Sequence, residues 1–292
     1  MYELHGKQGV TWSEALPGLI ADCASRFDFI PEAPFSDLSY NFVIRAKRSN
    51  GKPAVLKSSF MKDELSREVS VLRAYEGRGA IHVLDAVEEW GVALLECADP
   101  GTPLSSIEDD AHATGLFCEV FRRLHLPAAT GSRYPSMRQH FVAIERYRER
   151  FDGVTIAAPL PKNWVENAEE CLAYLISTTS ENLLLHGDLH HENILRHGEE
   201  QWAVIDPKGI IGDIHFDTIQ YLLNYEDRGG DCEQVLRGRI AIIADRLGLD
   251  PHRIAMWGVA RGVLEACWTI ENGGTDWYRG IQITERFAKC LH

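Results

Sequence analysis

The stretch that most constrains this chain is His186-Gly187-Asp188-Leu189-His190-His191-Glu192-Asn193, followed after a turn by Trp202-Ala203-Val204-Ile205-Asp206. Its flanking apolar runs, Leu183-Leu184-Leu185 and Ala203-Val204-Ile205, are short and bounded by polar turns, so each reads as a buried strand. A carboxylate, a carboxamide and a second carboxylate then ride on short connections beside a rigid base. Such oxygen donors suit Mg²⁺, which takes one or two protein oxygens, keeps several waters and binds substrate phosphates. Asn193 and Asp206 fit that task, leaving Asp188 to accept a proton from a hydroxyl nucleophile. Three nearby histidines invite a zinc reading, but neither an H-E-x-x-H motif nor a cysteine partner accompanies them. They are expected to orient the loop, His186 through backbone carbonyls and His190 and His191 by packing or by phosphate contact.

Upstream the pattern is β-rich. Residues 40–46 and 53–57 are joined by Ser49-Asn50-Gly51-Lys52, and Asn-Gly between β-rich runs is a strong hairpin signal. Residues 81–87 and 91–96 read as two more strands around Glu88-Glu89-Trp90-Gly91. Between the pairs, Leu65, Val69 and Leu72 recur at i, i+4 and i+7, which predicts a helix over 62–75 with Glu68 beside its apolar face. The first thirty residues predict one or two short helices, interrupted by Pro17-Gly18. After residue 101 the chain turns helical. Ser105-x-x-Glu108 has the form of a capping box opening a helix that Pro127 stops. Further helices are expected near 137–151, 164–176, 214–225, 231–247, 251–271 and 276–289.

With 292 residues the chain exceeds one average domain and is long enough for two packed lobes. A formal net charge of −13 argues against a nucleic-acid partner and favours a cationic small molecule. No apolar run approaches the ~20 residues of a membrane span, and the N-terminus lacks signal-peptide character, so a cytoplasmic protein with no membrane partner is expected. Seven scattered cysteines without a C-x-x-C pair read as reduced thiols.

The pattern His-Gly-Asp-x-x-x-x-Asn, with Ile205-Asp206 following, resembles the catalytic loop and metal-binding segment of the aminoglycoside phosphotransferases, small-molecule relatives of the protein kinases. The longer string running to Ile194-Leu195, with Ile205-Asp206-Pro207-Lys208-Gly209 and Gly212-Asp213, is similar to the streptomycin 6-kinase branch, grouped with hydroxyurea-type resistance kinases. The resemblance implies an α+β, two-lobed protein-kinase-like fold. Its small antiparallel-sheet lobe with one main helix would span 1–96, its hinge 97–101 and its larger helical lobe 102–292.

It also implies ATP and Mg²⁺, with Lys57 as the phosphate-contacting lysine paired to Glu68, and Glu64 in reserve. Ser36, Ser39 and Asn41 stand where protein kinases have a glycine-rich phosphate flap, and a plain polar turn is an equal reading. The backbone at Glu96 and Ala98 would hold the adenine. Lys208 either touches phosphate or forms an ordinary salt bridge. Asp213 is expected to cap the next helix or brace the catalytic loop, and Asp217 to be structural.

The implied reaction moves the γ-phosphoryl group to a hydroxyl of an aminoglycoside, streptomycin foremost. Another aminoglycoside, a choline-like or homoserine-like metabolite, hydroxyurea, or a non-catalytic nucleotide-binding role are the alternatives. A guanidinium-bearing acceptor calls for carboxylates and aromatic faces. Glu226, Asp227, Glu265, Trp268, Glu271 and Asp276 on the late helices are the candidates. A monomer or weak dimer is expected.

Overall fold

The structure, a computed structural model, describes residues 2–35, 41–129, 133–152, 158–224 and 231–291. The chain forms two compact units, Met1–Thr102 with Leu195–Lys208, and Pro103–Ile194 with Gly209–His292. The first opens with α1 (Tyr2–Phe27) and continues through β1 (Phe29–Pro34), β2 (Asn41–Arg48), β3 (Pro53–Ser59), α2 (Lys62–Tyr75), β4 (Val83–Val87) and β5 (Val92–Glu96). The five strands make one antiparallel sheet in the order β1-β2-β3-β5-β4. The expected hairpin is present, with Lys47 opposite Pro53 and Gly51 at a φ of 79° between them.

Two local expectations are corrected here. The N-terminal segment is one helix and runs through Pro17. Pro17 lies on the exposed side, while Leu16, Leu19, Ile20, Cys23 and Phe27 keep a continuous apolar face across it. Packing of that face against Phe29, Ile44, Ala54, Leu56 and Leu94 outweighs the hydrogen bond that proline removes. Strand β1 was not anticipated, because its two prolines and exposed residues suppress the strand pattern; it is an edge strand, where proline is tolerated.

The sheet has two faces because side chains alternate along each strand. Leu56 belongs to the cluster under α1, so Lys57 projects to the other face, where α2 supplies Glu68. Helix α2 buries Leu65, Val69 and Leu72, the stripe read from the sequence.

Past β6 (Pro100–Pro103), the second unit begins with α3 (Asp110–Leu124), β7 (Leu126–Pro127), α4 (Met137–His140), α5 (Val142–Phe151), α6 (Lys162–Thr178) and β8 (Leu183–Leu185). The expected capping box at Ser105 does not form. Ser105 lies in a 3₁₀ turn that ends at an extended Ile107, and α3 starts only after Asp109, whose carboxylate accepts from the His112 N–H at 2.9 Å. A true capping box occurs at Ser136 and Gln139. Phe141 then leaves helical geometry, so the helix expected near 137–151 is split in two.

Strand β9 (Ile194–His197) pairs with β6 on one side and with β10 (Trp202–Val204) on the other, and Val204 bridges Ala80. These pairings place residues 195–208 in the first unit, whereas the sequence-based boundaries assigned everything after 101 to the second. The second unit resumes with β11 (Ile210–Gly212), which pairs with β8, and ends with α7 (Ile219–Leu223), α8 (Cys232–Leu247), α9 (Pro251–Glu271) and α10 (Tyr278–Ala288).

Helix α9 is its central element, burying Ile254, Trp257, Val263 and Leu264. Helices α9 and α10 approach closely at Gly262, where a Cβ would sit 2.4 Å from Thr284 Oγ1 and 2.7 Å from the Gly280 carbonyl. Among the described residues no helix is long and apolar enough to cross a membrane, and all seven cysteines are free thiols.

Candidate active site

In the first unit the chain gathers one amine and two carboxylates. Lys57 Nζ donates to both oxygens of Glu68, at 2.9 and 2.7 Å, and to Asp206 Oδ1 at 2.8 Å. Lys57 is 3% exposed and Glu68 7%, whereas the Asp206 side chain is 38% exposed. The expected partner Glu68 makes the ion pair, and Glu64, one helical turn earlier, does not. Burial alone drags the Lys57 pKa down, but the two carboxylates more than compensate, so the net shift is upward and the amine stays protonated. Burial is likewise the largest influence on Glu68 and lifts its pKa, against the pull of Lys57 and with Asp206 adding to the rise. Lys208 adds a weaker pull on Glu68, and Asp206 is the most exposed member of the Lys57, Glu68 and Asp206 cluster.

The connection that delivers Asp206 is equally local. Val204 N donates to the Gly79 carbonyl, and Ile81 N donates back to that of Val204, which ties β10 to the segment after α2. Asp206 itself adopts the left-handed region, with a φ of 59°.

Beside this cluster lies a pocket of about 180 Å³ lined by Asn41, Ser59, Glu64, Arg67, Glu68 and Lys208 among others. Asn41 and Lys208, both read from the sequence as phosphate candidates, thus share one cavity. Ser36 and Ser39 lie outside the described residues. Glu96 ends β5, where its side chain accepts from the His82 N–H at 3.0 Å and faces His197 at 3.5 Å. Ala98 follows in the connection to β6.

In the second unit the loop after β8 is built from backbone donors. Asp217 accepts from the N–H groups of His186 and Gly187 at 2.8 and 2.7 Å, and contacts His125 Nε2 at 2.9 Å. Burial pushes the Asp217 pKa up, but these hydrogen bonds, His125 first, outweigh it and hold the carboxyl below its ordinary value. Gly187 has a φ of 81°, which few side-chain-bearing residues adopt. Asp188 N donates to His186 Nδ1 at 3.2 Å, which ties the imidazole to the loop backbone.

Asn193 Nδ2 donates to the Asp188 carbonyl at 2.9 Å and lies 3.1 Å from His190 Nε2. With Nδ2 so engaged, the Asn193 amide oxygen is the atom that could hold a cation. His191 is buried and stacks on Tyr221 with ring centroids 4.2 Å apart. Asp213 caps the following 3₁₀ turn and binds His215, Arg253 and Trp257, so of its two expected roles it takes the first. The bracing falls to Asp217. Sequence reasoning missed that because backbone donors leave no mark in side-chain spelling.

Gln220 was also missed. It lies on the five-residue α7 and donates from Nε2 to Asp188 Oδ1 at 2.9 Å. Of the acceptor candidates, Glu226 and Asp227 lie outside the described residues. Glu265 is paired with Arg261 at 2.6 Å, and Arg261 lies over the Trp268 ring, 4.9 Å from its centroid. Glu271 takes two hydrogen bonds from Arg146, both 2.8 Å, and Asp276 is 3.6 Å from Arg279. Among the described residues no three His, Cys, Asp or Glu side chains form a metal-holding group.

Known proteins place the chain in a family. The family described as "Aminoglycoside/hydroxyurea antibiotic resistance kinase" matches residues 32–273. The chain is 31% identical to a streptomycin 6-kinase from Streptomyces griseus, covering 92% of this chain and 88% of that one. It is 30% identical to a hydroxyurea phosphotransferase from Kitasatospora aureofaciens, covering 92% and 77%. Among solved structures it resembles a thermostable mutant of aminoglycoside phosphotransferase APH(4)-Ia in complex with ADP and hygromycin B. The TM-score is 0.64 at 15% identity, covering 93% of this chain and 97% of that one. The choline kinase LicA from Streptococcus pneumoniae follows with a TM-score of 0.63 at 16% identity, covering 94% and 98%. The structural likenesses establish the α+β, protein-kinase-like fold, and the sequence matches carry the lineage: the chain belongs to the aminoglycoside/hydroxyurea antibiotic resistance kinases.

Proposed function

We propose that this kinase transfers the γ-phosphoryl group of ATP to a hydroxyl of a cationic aminoglycoside, with the 6-hydroxyl of streptomycin as the first acceptor to test. The observation that carries the reading is the buried Lys57 amine held at hydrogen-bond distance by both Glu68 and the solvent-reaching Asp206. A lysine so fixed steadies the nucleotide phosphates, and the exposed carboxylate of Asp206 is of the kind that suits a divalent cation. Asn193, through its amide oxygen, and Asp206 are the residues assigned to Mg²⁺, both hard oxygen donors of the kind it prefers. When bound, Mg²⁺ neutralises phosphate charge. Asp188 orients the acceptor hydroxyl and takes its proton. Asn41 and Lys208, sharing one pocket, are assigned to the phosphates, and the backbone at Glu96 and Ala98 to the adenine.

Similarity to a hydroxyurea phosphotransferase at 30% identity supports a second acceptor, the hydroxyl of hydroxyurea. ADP release from ATP and Mg²⁺ with a panel of acceptors decides between them. Turnover with streptomycin, lost in Asp188→Ala, is the expected result. Turnover with hydroxyurea alone transfers the assignment to the second reading, and none with any hydroxyl acceptor overturns both.

A further inference from the structure

The proposed chemistry leaves one chain of polar contacts in the second unit unused. From Asp188 Oδ1 it runs to Gln220 Nε2 at 2.9 Å, from Gln220 Oε1 to Arg261 Nη2 at 3.4 Å, and from Arg261 Nη1 to Glu265 Oε2 at 2.6 Å. Arg261 is 8% exposed and lies over the Trp268 ring, while the Glu265 side chain is 41% exposed. The chain thus begins at the assigned base and ends at solvent.

Its chemistry admits one orientation. A carboxylate accepts only, a guanidinium donates only, and a carboxamide has one end of each kind. Gln220 therefore turns its NH₂ to Asp188 because its oxygen is claimed by Arg261. Without the guanidinium the amide loses one of the two contacts that fix its sense, and a reversed amide would set oxygen against carboxylate. The backbone of Gln220 is tied separately, its carbonyl accepting from Asn224 Nδ2 at 2.7 Å. Glu265 cancels the Arg261 charge, which would otherwise repel a cationic acceptor.

We propose that Gln220 is the positioning residue of Asp188: it holds one carboxylate oxygen with a neutral donor and leaves the other for the acceptor hydroxyl, and Arg261 sets the sense of its amide. This rests on the reading of Asp188 as the proton acceptor. A neutral donor fixes direction without adding the full charge of a lysine or arginine beside the base. Displacing a reacting group by about 1 Å costs on the order of 100-fold in rate, so the contribution belongs in kcat rather than in binding.

The test is steady-state kinetics with MgATP and whichever acceptor the panel identifies, alongside thermal melting. Gln220→Met, similar in length but without the donor, is expected to lower kcat by about 10- to 100-fold. KM for MgATP and for acceptor should change by less than about twofold, with melting unchanged. Gln220→Glu should lose more, because it sets carboxylate against carboxylate. Arg261→Lys should recover part of what Arg261→Met loses. A structural role alone would move melting and kcat together, without that recovery.

Unchanged kcat in Gln220→Met, while Asp188→Asn abolishes turnover, overturns the positioning role and leaves the base assignment standing. A kcat loss in Gln220→Met that tracks its melting temperature has the same meaning. Full turnover in Asp188→Asn overturns the base assignment itself, and the positioning role with it.

Discussion

Two carboxylates assigned to the same reaction are held in opposite ways. Asp206 is gripped by a buried ammonium at 2.8 Å, in a cluster where Lys57 and Glu68 are almost fully enclosed. Among the described residues Asp188 has no lysine or arginine partner; it is held by the amide of Gln220, with His190 Nε2 3.9 Å from the same oxygen and the Asn193 amide on its backbone carbonyl. A charge–charge contact in a buried setting is strong and stiff, whereas a neutral dipole directs an oxygen without setting a full charge beside it. The contrast matches the tasks proposed for them. One carboxylate is assigned to the phosphate side of the reaction, and the other to the acceptor hydroxyl.

The sharpest way to break this comparison is to remove the ammonium. Lys57→Met leaves Glu68 and Asp206 facing each other without their shared cation, and breaking a buried pair typically costs about 3–5 kcal/mol. Chemical denaturation should show that loss, together with a raised KM for ATP. A variant as stable as the parent would mean that Coulomb attraction does not organise the first unit.

Next in size is the pH dependence of the second unit. His140 is buried against Phe141, Phe216 and Trp268, and burial, aided by Arg261, depresses its pKa to about 4. The unfolded chain takes that proton near the ordinary histidine value and the folded chain does not. Its contribution is therefore intact above about pH 6.5 and is lost as pH falls toward 4, a decline of ~3 kcal/mol. His140→Phe should flatten this slope between pH 6.5 and 4, read from denaturation midpoints.

A smaller effect is expected at Asp217. Asp217→Asn exchanges one carboxylate oxygen for an NH₂ group facing a backbone N–H, at a cost of about 1.5–3 kcal/mol. Faster amide exchange at His186 and Gly187 would report it. The least effect should come from Glu271→Gln, whose bond to Arg146 is largely exposed and is worth ~0.5 kcal/mol or less. A change in acceptor KM there without a change in melting would single out Glu271 as an acceptor contact.

How far the sequence reached can be judged from these same residues. The hairpin over 41–59 and the helix over 62–75 were legible because Asn50-Gly51 and the Leu65, Val69, Leu72 stripe are local signals. The choice of Glu68 over Glu64 followed from its place beside that stripe. Helix α1 and strand β1 were misjudged where proline's local preference met tertiary packing or an edge position. The capping box at Ser105 had the right spelling, but Asp109 offered a cap nearer the true start. Asp217 was read only as structural, without its partners, and Gln220 was not read at all. One acts on backbone N–H groups 30 and 31 residues earlier, and the other on an aspartate 32 residues earlier. The acceptor candidates Glu265 and Glu271 looked available, and only their folded partners, Arg261 and Arg146, show that each carboxylate is already engaged.

The left-handed backbone at Asp206 has an evolutionary consequence. A side-chain-bearing residue in that region carries a strain of ~1 kcal/mol or more, which glycine escapes. Once selection for activity lapses, drift from aspartate to glycine relaxes the chain locally, whereas drift to alanine does not. Silent descendants of this enzyme should therefore accumulate glycine at position 206, and a glycine there would mark a lineage that has retired from catalysis while keeping its shape.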